Sequence, residues 1–448
     1  MSASAPALPN PRSPLERALG VVAEVRAGEA GTALLLTLNF FLLQFGYYIF
    51  KTVRESLILT QAGATGKAYT AAVQAVLLLF LVPAFGAFAS RVNRVKLITG
   101  VTLLLLCFPV LFMVASRAGV RTGIAYFVWV GIFNTLGIAQ FWAFVNDVYT
   151  KDQGKRLIPM AVVGASLGAW LGAEYAGRFI KTAGPYVPGL IACGIVAVCI
   201  VIVKVVSATQ VRTDVAERAA EAEKPLGKEG GFELIRKDRY LLLIASLIVV
   251  LNLVNTTGEY VLGSLVERQA EQTYGAGEAS VEAREKFIGG FFGKDYFSKV
   301  NLVGFLVQLL LVSRIIKYIG VGGALFIHPL IALVGYGSAF FTPSLAFVRN
   351  IKILDNATDY SLNNTLKQAL WLPTSREAKY KAKAAVDSFF MRSGDVLSAG
   401  LVYLGSVLAF TLPVFAAVNV GLAAVWLVIV TLLSRENRKR MASAAPVS

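Results

Sequence analysis

Apolar stretches of about 20 residues recur along this chain, and they constrain its fold more than any other feature. A helix of that length crosses the hydrocarbon core of a bilayer and satisfies its own backbone hydrogen bonds there. The stretches lack the alternating pattern of strands in a membrane β-barrel. With 56% hydrophobic and 16% charged residues among 448, the chain is too apolar for a soluble protein. The sequence therefore predicts an all-α integral membrane protein.

The apolar stretches form two groups of six, separated by a polar segment. They lie at 32–50, 68–89, 97–116, 123–146, 158–180, 186–206, 241–263, 300–316, 320–342, 346–371, 383–408 and 411–433. Two parallel halves are typical of the major-facilitator architecture, in which a midplane site opens alternately to each side. We therefore expect about 12 transmembrane helices in two six-helix halves. For the heavily charged tenth stretch, an amphipathic helix at the membrane interface is the alternative.

Basic residues predict the orientation of these spans, because loops rich in Lys and Arg stay in the cytoplasm. Such residues cluster on one predicted side, at 91–96, 151–156, 314–317, 376–383 and 435–440. Both termini are therefore expected in the cytoplasm, and the protein in the cell (inner) membrane. No cleavable signal peptide is visible before the first apolar stretch. The predicted segments are a cytoplasmic N-terminal segment at 1–31, halves at 32–206 and 241–433, a cytoplasmic linker at 207–240, an external insert at 264–299 and a cytoplasmic tail at 434–448.

Charged residues inside the first span are candidate site residues, because ionisable groups at membrane depth usually face a polar cavity and pair. Lys51 lies three residues before Arg54 and four before Glu55, so a helix places Lys51 within reach of both. The result would be a compact, net-positive cluster suited to an anion. The alternative is that the helix has reached the interface, where these side chains extend toward water.

The tenth span carries a stripe of charge. Arg349, Lys352, Asp355 and Asp359 follow one another at spacings of three, three and four residues, which stacks them along one helical face. A helix that faced only lipid could not carry that stripe. We therefore expect this helix to line a cavity, with its cations and acids partly paired.

Three further spans contribute candidates. In the eleventh span Arg392 either contacts a substrate or pairs with an acid such as Asp395. In the seventh, Asn255 and Glu259 belong to a polar interruption that predicts either a substrate site or hydrogen bonding between helices. In the fourth, Asp147 follows aromatic residues that could stack on a ring or form part of an interfacial aromatic belt.

No nucleotide-binding loop, dinucleotide fingerprint, nucleophile elbow or metal-ligand cluster is visible in the sequence. We therefore expect no cofactor, no metal site and no enzymatic activity. The single histidine, His328, is expected to be satisfied in the core or to seek the surface. The net charge of +16 is largely a topology signal that leaves a remainder for anionic lipid or an anionic substrate, and nucleic acid is not expected as a partner.

Two long segments resemble the ATP/ADP translocase (nucleotide transporter) family of plastids and intracellular bacteria. One segment, at 356–394, is similar to the family in the order and spacing of a Tyr-Ser-Leu core, a Pro and a Lys-rich run that ends in Asp. The corresponding residues here are Tyr360, Ser361, Leu362, Pro373, Lys383, Ala384, Ala385 and Asp387. The other segment, at 141–159, is similar to an aromatic helix end of the family and includes Phe141, Trp142, Phe144 and Asn146.

The resemblance implies roles for several candidates. Arg54 corresponds to a basic residue that helps to bind the nucleotide, Lys51 to a second cation, and Asp147 to an acid of the fourth span. Two positions depart from the family: Asn255 stands where the translocases carry Glu, and Asp395 where they carry Lys. Reversing a charge in a low-dielectric cavity should weaken its attraction for a polyphosphate.

The sequence therefore predicts a transporter of an anionic metabolite, a nucleotide or another phosphorylated compound, that works by exchange or by proton coupling. Arg54 and Lys51 would hold the anion, with Arg392 and Lys352 contributing from the other half. Asp147, Asp359 and Asp395 would balance charge or carry protons. A transporter of a non-nucleotide organic anion, a membrane sensor or scaffold without transport activity, and a membrane enzyme are the alternatives.

Overall fold

The computed structural model describes Glu16 and residues 23–209, 230–342 and 344–444. Most of the predicted segment 1–31 and of the linker 207–240, and the end of the predicted tail, lie outside the described residues. The first half consists of six long helices. They are α1 (Ala30–Gln61), α2 (Gly63–Ala89), α3 (Arg94–Arg117), α4 (Gly123–Val148), α5 (Lys151–Ala183) and α6 (Tyr186–Thr209).

The second half begins with a short helix, Gly231–Lys237, and continues through longer helices that are often interrupted. The first is α7 (Arg239–Tyr274). Next, α8 joins Val281–Gly290, a π-helical stretch Phe291–Phe297 and Ser298–Leu310, and α9 joins Val312–Ala324 and Ile327–Phe341. In α10, Leu345–Thr358 and Asn364–Ala369 flank a π-helical stretch Asp359–Asn363. Finally, α11 runs from 378 to 407 with two π-helical stretches, and α12 is Leu412–Ala444.

Among the described residues, eight helices, α1 to α7 and α12, are long and apolar enough to cross a membrane as single helices. A ninth span results if the segments Glu278–Leu310 and Val312–Ala324, which meet at a bend of 75°, are counted together as one. Each described regular element is a helix, which confirms the all-helical part of the prediction. The start of α8 lies well before the predicted boundary at 300. Its first turns carry charges that lower the local hydropathy, yet Arg284 and Glu285 are only 8% exposed.

Close contact between α1 and α5 organises the first half. Gly164, Gly168 and Gly172 lie four residues apart on α5, and a Cβ atom on any of them would overlap a backbone carbonyl of α1. At Gly168 the overlapped atom is the carbonyl oxygen of Phe41. Small residues at this spacing let two helix backbones approach, which is a common interface in membrane proteins.

Hydrogen bonds join the two halves near the C-terminal ends of α1 and α7. The Ser56 hydroxyl donates a 2.7 Å hydrogen bond to the backbone carbonyl of Glu285. The backbone N–H of Ala64, in the first turn of α2, donates a 2.8 Å bond to the Glu267 carboxylate. The Ser298 hydroxyl donates a 2.7 Å bond to Glu174. These three hydrogen bonds join the first half to the second.

Candidate functional site

A cavity of about 400 Å³ lies between the two halves, lined by α1, α4, α5, α8 and α10. Its volume is in the range of small-molecule sites. The aromatic side chains in its wall are Phe40, Tyr48, Trp142, Phe305 and Tyr360. Its polar side chains are Gln44, Ser166, Asn301, Gln308, Asn364 and Thr365. The lining is therefore aromatic and uncharged but rich in amides.

Lys51 lies beside this cavity, against rings that belong in part to its wall. Its Nζ is 4.3 Å from the centroid of the Phe297 ring, 5.1 Å from that of Tyr48 and 5.9 Å from that of Tyr360. Tyr48 and Tyr360 are themselves part of the lining. In the described part of the chain, no carboxylate lies within 4.0 Å of this ammonium group. Lys51 is thus a cation held by aromatic faces beside the cavity.

Arg54 and Glu55 form a separate group with a third residue, Lys67. The Arg54 guanidinium donates to Glu55 Oε1 through Nη2 at 2.5 Å and through Nε at 3.0 Å. Lys67 Nζ lies 2.6 Å from the other carboxylate oxygen of Glu55, which is 1% exposed. Arg54 also stacks over the Phe127 ring. The predicted cluster of Lys51, Arg54 and Glu55 is therefore divided. Glu55 pairs with Arg54 and Lys67, whereas Lys51 contacts aromatic rings.

Sequence reasoning missed Lys67. It lies one residue before the predicted second span at 68, so the hydropathy boundary assigned it to a loop. The structure places it in the second turn of α2, where its side chain is 13% exposed. Its charge is visible in the sequence, but the helix against which it packs is not.

Lys352 is the centre of a buried polar network in the second half. Its side chain is fully buried, and Nζ donates to Asp355 at 2.8 Å and to the side-chain oxygen of Asn255 at 2.6 Å. Glu259 lies 3.8 Å away and Asn356 3.4 Å away. The structure thus brings together Asn255 and Glu259, proposed from the seventh span, and Lys352, proposed from the tenth.

Two residues that the sequence did not mark as site candidates complete the network. His328 Nε2 lies 2.8 Å from Asp355 Oδ1, so of the two positions expected for this histidine the structure shows the buried one, with a carboxylate partner. The Tyr296 hydroxyl donates to Glu259 at 2.5 Å. His328 and Tyr296 come from α9 and α8, and no spacing in the sequence links either of them to α7 or α10.

The remaining candidates lie in four places. Arg392 Nη1 is 3.6 Å from Asp395, whose other oxygen accepts hydrogen bonds from Asn252 and Thr256 at 3.0 Å each. Arg392 thus pairs with the acid of its own helix. Asp395 keeps about a sixth of its side chain accessible, at 17%.

Asp359 accepts hydrogen bonds from Asn363 at 2.7 Å and from Lys367 at 3.3 Å, beside a second cavity of about 190 Å³. Asp147 instead pairs with Arg94 at 2.9 Å near a helix end, where both side chains are more than a third exposed. Arg349 donates to the exposed Asn350. Asp147 and Arg349 are therefore the two candidates that the structure separates from the central groups.

Another charged group fixes the start of α1, outside the spans. Glu29 accepts two 2.9 Å hydrogen bonds from Arg156 and a 3.2 Å bond from Gln153. Its other donor is the backbone N–H of Arg26, at 2.9 Å. The Arg156 guanidinium is the main cause that lowers the pKa of the Glu29 carboxyl to about 2, against a smaller opposing effect of burial. This group ties the chain before α1 to the first turns of α5.

The described residues contain no group of three His, Cys, Asp or Glu side chains that could hold a metal ion. The arrangement instead offers a large uncharged cavity, one cation beside it without a carboxylate partner, and several internally paired charges. Chemically, such a cavity can hold an aromatic molecule that carries an anionic group.

Comparisons with known proteins agree with this architecture. The sequence model of the family described as "TLC ATP/ADP transporter" matches residues 126–437. The protein named "ADP,ATP carrier protein 1" from Chlamydia muridarum is 26% identical over 334 residues, which cover 66% of this chain and 61% of the relative. "ADP,ATP carrier protein 2" from Chlamydia pneumoniae is 26% identical over 251 residues, 50% of this chain and 44% of the relative. The chain thus spans about three-fifths of the length of the first relative and less than half of the length of the second.

Solved transporter structures share the fold. A bacterial homologue of the iron transporter ferroportin in an inward-facing state has a TM-score of 0.62 at 14% identity, over 90% of this chain and 98% of the other. The nucleoside transporter NupG gives 0.60 at 11% identity, over 89% and 98%. An inward-facing, unoccupied bacterial homologue of the lysosomal transporter Spinster gives 0.56 at 15%, over 94% and 100%. These likenesses confirm the predicted major-facilitator-like fold.

Proposed function

Because this chain belongs to the TLC ATP/ADP transporter family, we propose that it carries a nucleotide or another phosphorylated anion across a membrane. Membership of this family favours a carrier over an enzyme. Transport would follow alternating access, in which the two halves rock around the cavity between them. The proposal includes twelve spanning helices, in which α8 to α11 cross the membrane despite their interruptions. It places the protein in the inner membrane of the cell, with both termini in the cytoplasm.

The position of Lys51 is the observation that carries this proposal. A cation that leaves water is costly unless something compensates it, and aromatic faces do so only in part. Lys51 has such faces as its neighbours beside a cavity large enough for a small molecule. An anionic group in that cavity would supply the missing charge and form charge-assisted hydrogen bonds. The rings and amides of the lining would receive the uncharged part of the same molecule.

The other candidates would hold the helices around the site in position. Arg54 and Lys67 share the Glu55 carboxylate, so we assign these three residues to the position of α1 beside α2 rather than to direct contact with the anion. The Lys352 network with Asn255 and Glu259 would similarly hold α7, α8, α9 and α10 in register.

Uptake into liposomes tests this function. Purified protein would be reconstituted and supplied with labelled nucleotides, with and without internal nucleotide and with and without a pH gradient. We expect uptake that requires Lys51, so that Lys51→Gln lowers the initial rate by about tenfold or more, as loss of a charge-assisted contact implies. Lys96→Gln removes the same charge from an exposed position and should leave uptake unchanged.

Equal uptake by empty liposomes and by liposomes with wild-type protein would overturn nucleotide transport if it held for every nucleotide, and the whole proposal if it also held for labelled sugar phosphates. A need for internal nucleotide would indicate exchange, whereas stimulation by the pH gradient alone would indicate proton coupling. Uptake that survives Lys51→Gln would remove the anion site while retaining transport.

A further inference from the structure

A hydrophobic core is shared by the two halves at one end of the bundle. Of the three hydrophobic clusters among the described residues, two draw on a single half each, and the third draws on both. The shared cluster joins the end of α1, the start of α2 and the C-terminal part of α5 to the C-terminal part of α7 and the first turns of α8. Its members there include Ile58, Leu59, Ala68, Ala173, Val266 and Ile288. We refer to this end, where the hydrogen bonds of Ser56 and Ala64 also cross, as the closed end.

Glycines bring the backbones of α5 and α8 into contact at the closed end. A Cβ atom on Gly177 would overlap the backbone nitrogen of Lys294, and a Cβ atom on Gly293 would overlap the backbone of Gly177. One turn earlier on α8, a Cβ atom on Gly289 would overlap the side chain of Ile180. The two halves therefore meet here through backbone atoms, with no side chain between them at the two central glycines.

The same two helices lead from the closed end to the cavity. Ala169 and Asn301 both line the cavity, and Asn301 Nδ2 donates a 3.4 Å hydrogen bond to the carbonyl of Ala169. On α5, Gly177 lies eight residues after Ala169, and on α8, Gly293 lies eight residues before Asn301. At about 1.5 Å per residue, the glycine contact lies about 12 Å from the cavity wall along both helices. Passage between the cavity and this end of the molecule therefore requires α5 and α8 to separate.

On the basis of the proposed function, we propose that the glycine contact between α5 and α8 is a conformational latch, whose separation opens the cavity to the side of the closed end. Alternating access requires the two halves to part at each end in turn. A side chain at Gly177 or Gly293 has no room while the backbones touch, and it gains room once the helices part. Such a side chain favours the open state, because it fits that state better than the closed one. An overpacked contact of this kind shifts the equilibrium by about tenfold or more.

Labelling of a buried cysteine tests the latch. In a background in which the three native cysteines are replaced by alanine, Ala270→Cys places a thiol in the shared cluster, at a position with 0% exposure. Its rate of reaction with a maleimide would be measured on purified protein in nanodiscs. We expect Gly293→Ala to raise this rate by about tenfold or more, and Gly177→Ala to act likewise. Gly194→Ala adds the same methyl group to α6 where the space is open, and it should leave the rate unchanged.

A second reporter separates opening from unfolding. Ala423 is also 0% exposed and lies in the cluster that belongs to the second half alone, so labelling of Ala423→Cys should stay slow in both glycine variants. An unchanged rate at Ala270→Cys, or an equal increase at both reporters, would show that the latch inference is wrong. Labelling requires no nucleotide, so the uptake assay decides the proposed function independently. Uptake by wild-type protein together with an unchanged labelling rate would refute the latch and leave transport in place.

Discussion

Replacing Asp355 by Asn should destabilise the second half strongly, because it isolates a buried ammonium group. Lys352 is fully buried and Asp355 is 2% exposed, so neither charge is solvated by water. Removing one partner of a buried ion pair typically costs about 3 to 5 kcal/mol. We expect a value near the lower end, about 3 kcal/mol, since Glu259 stays at 3.8 Å and Asn255 at 2.6 Å.

A double-mutant cycle in detergent measures this effect. The free energy of unfolding would be compared for wild type, Asp355→Asn, Lys352→Met and the double variant. The double variant should cost less than the two single changes together, because it removes both charges and leaves none uncompensated. The Asp355→Asn variant alone should lower the folded-to-unfolded ratio by about a hundredfold, since about 1.4 kcal/mol is a factor of ten. A loss below about 1 kcal/mol, or simple additivity, would refute the idea that this pair is desolvated.

Two further predictions concern the first half. Gly168→Val should prevent the close contact of α5 with Phe41 and lower the yield of folded protein. Gly194→Ala should not, because the space around Gly194 is open. Size-exclusion chromatography of the solubilised protein compares the two variants. The lowered pKa of Glu29 means that its contacts with Arg156 stabilise the fold above pH about 4.5, with the contribution lost as the pH falls toward 2. Glu29→Gln should therefore cost roughly 1 kcal/mol at neutral pH after allowance for solvent screening, and the difference from wild type in thermal unfolding should disappear at low pH. An unchanged difference at low pH would contradict the linkage.

Part of the site was predictable because it depends on local chemistry. Lys352 stood out as part of a charged stripe on a predicted span, and the polar interruption around Asn255 marked α7 as something other than a lipid-facing span. Both expectations rest on the cost of polar groups at membrane depth, which applies to each helix by itself. Their direct contact at 2.6 Å joins α7 to α10, and no sequence spacing encodes it.

The case of Lys51 shows where reading one helix fails. Spacing of three and four residues placed Arg54 and Glu55 equally within its reach. In the structure Glu55 turns to Arg54 and to Lys67 of α2, and the rings of Phe297 and Tyr360 from the other half surround the Lys51 ammonium group. The partners that separate these cations come from three other helices.

The sequence by itself determined that this chain is a helical membrane protein, because the length and composition of an apolar stretch decide whether it can leave water. It also showed which spans carry charge. Only the tertiary structure decided which charges cancel and which remain, since ion pairs form between side chains within about 4 Å, and packing brings those atoms together from distant parts of the chain. That packing leaves Lys51 beside the cavity without a carboxylate among the described residues.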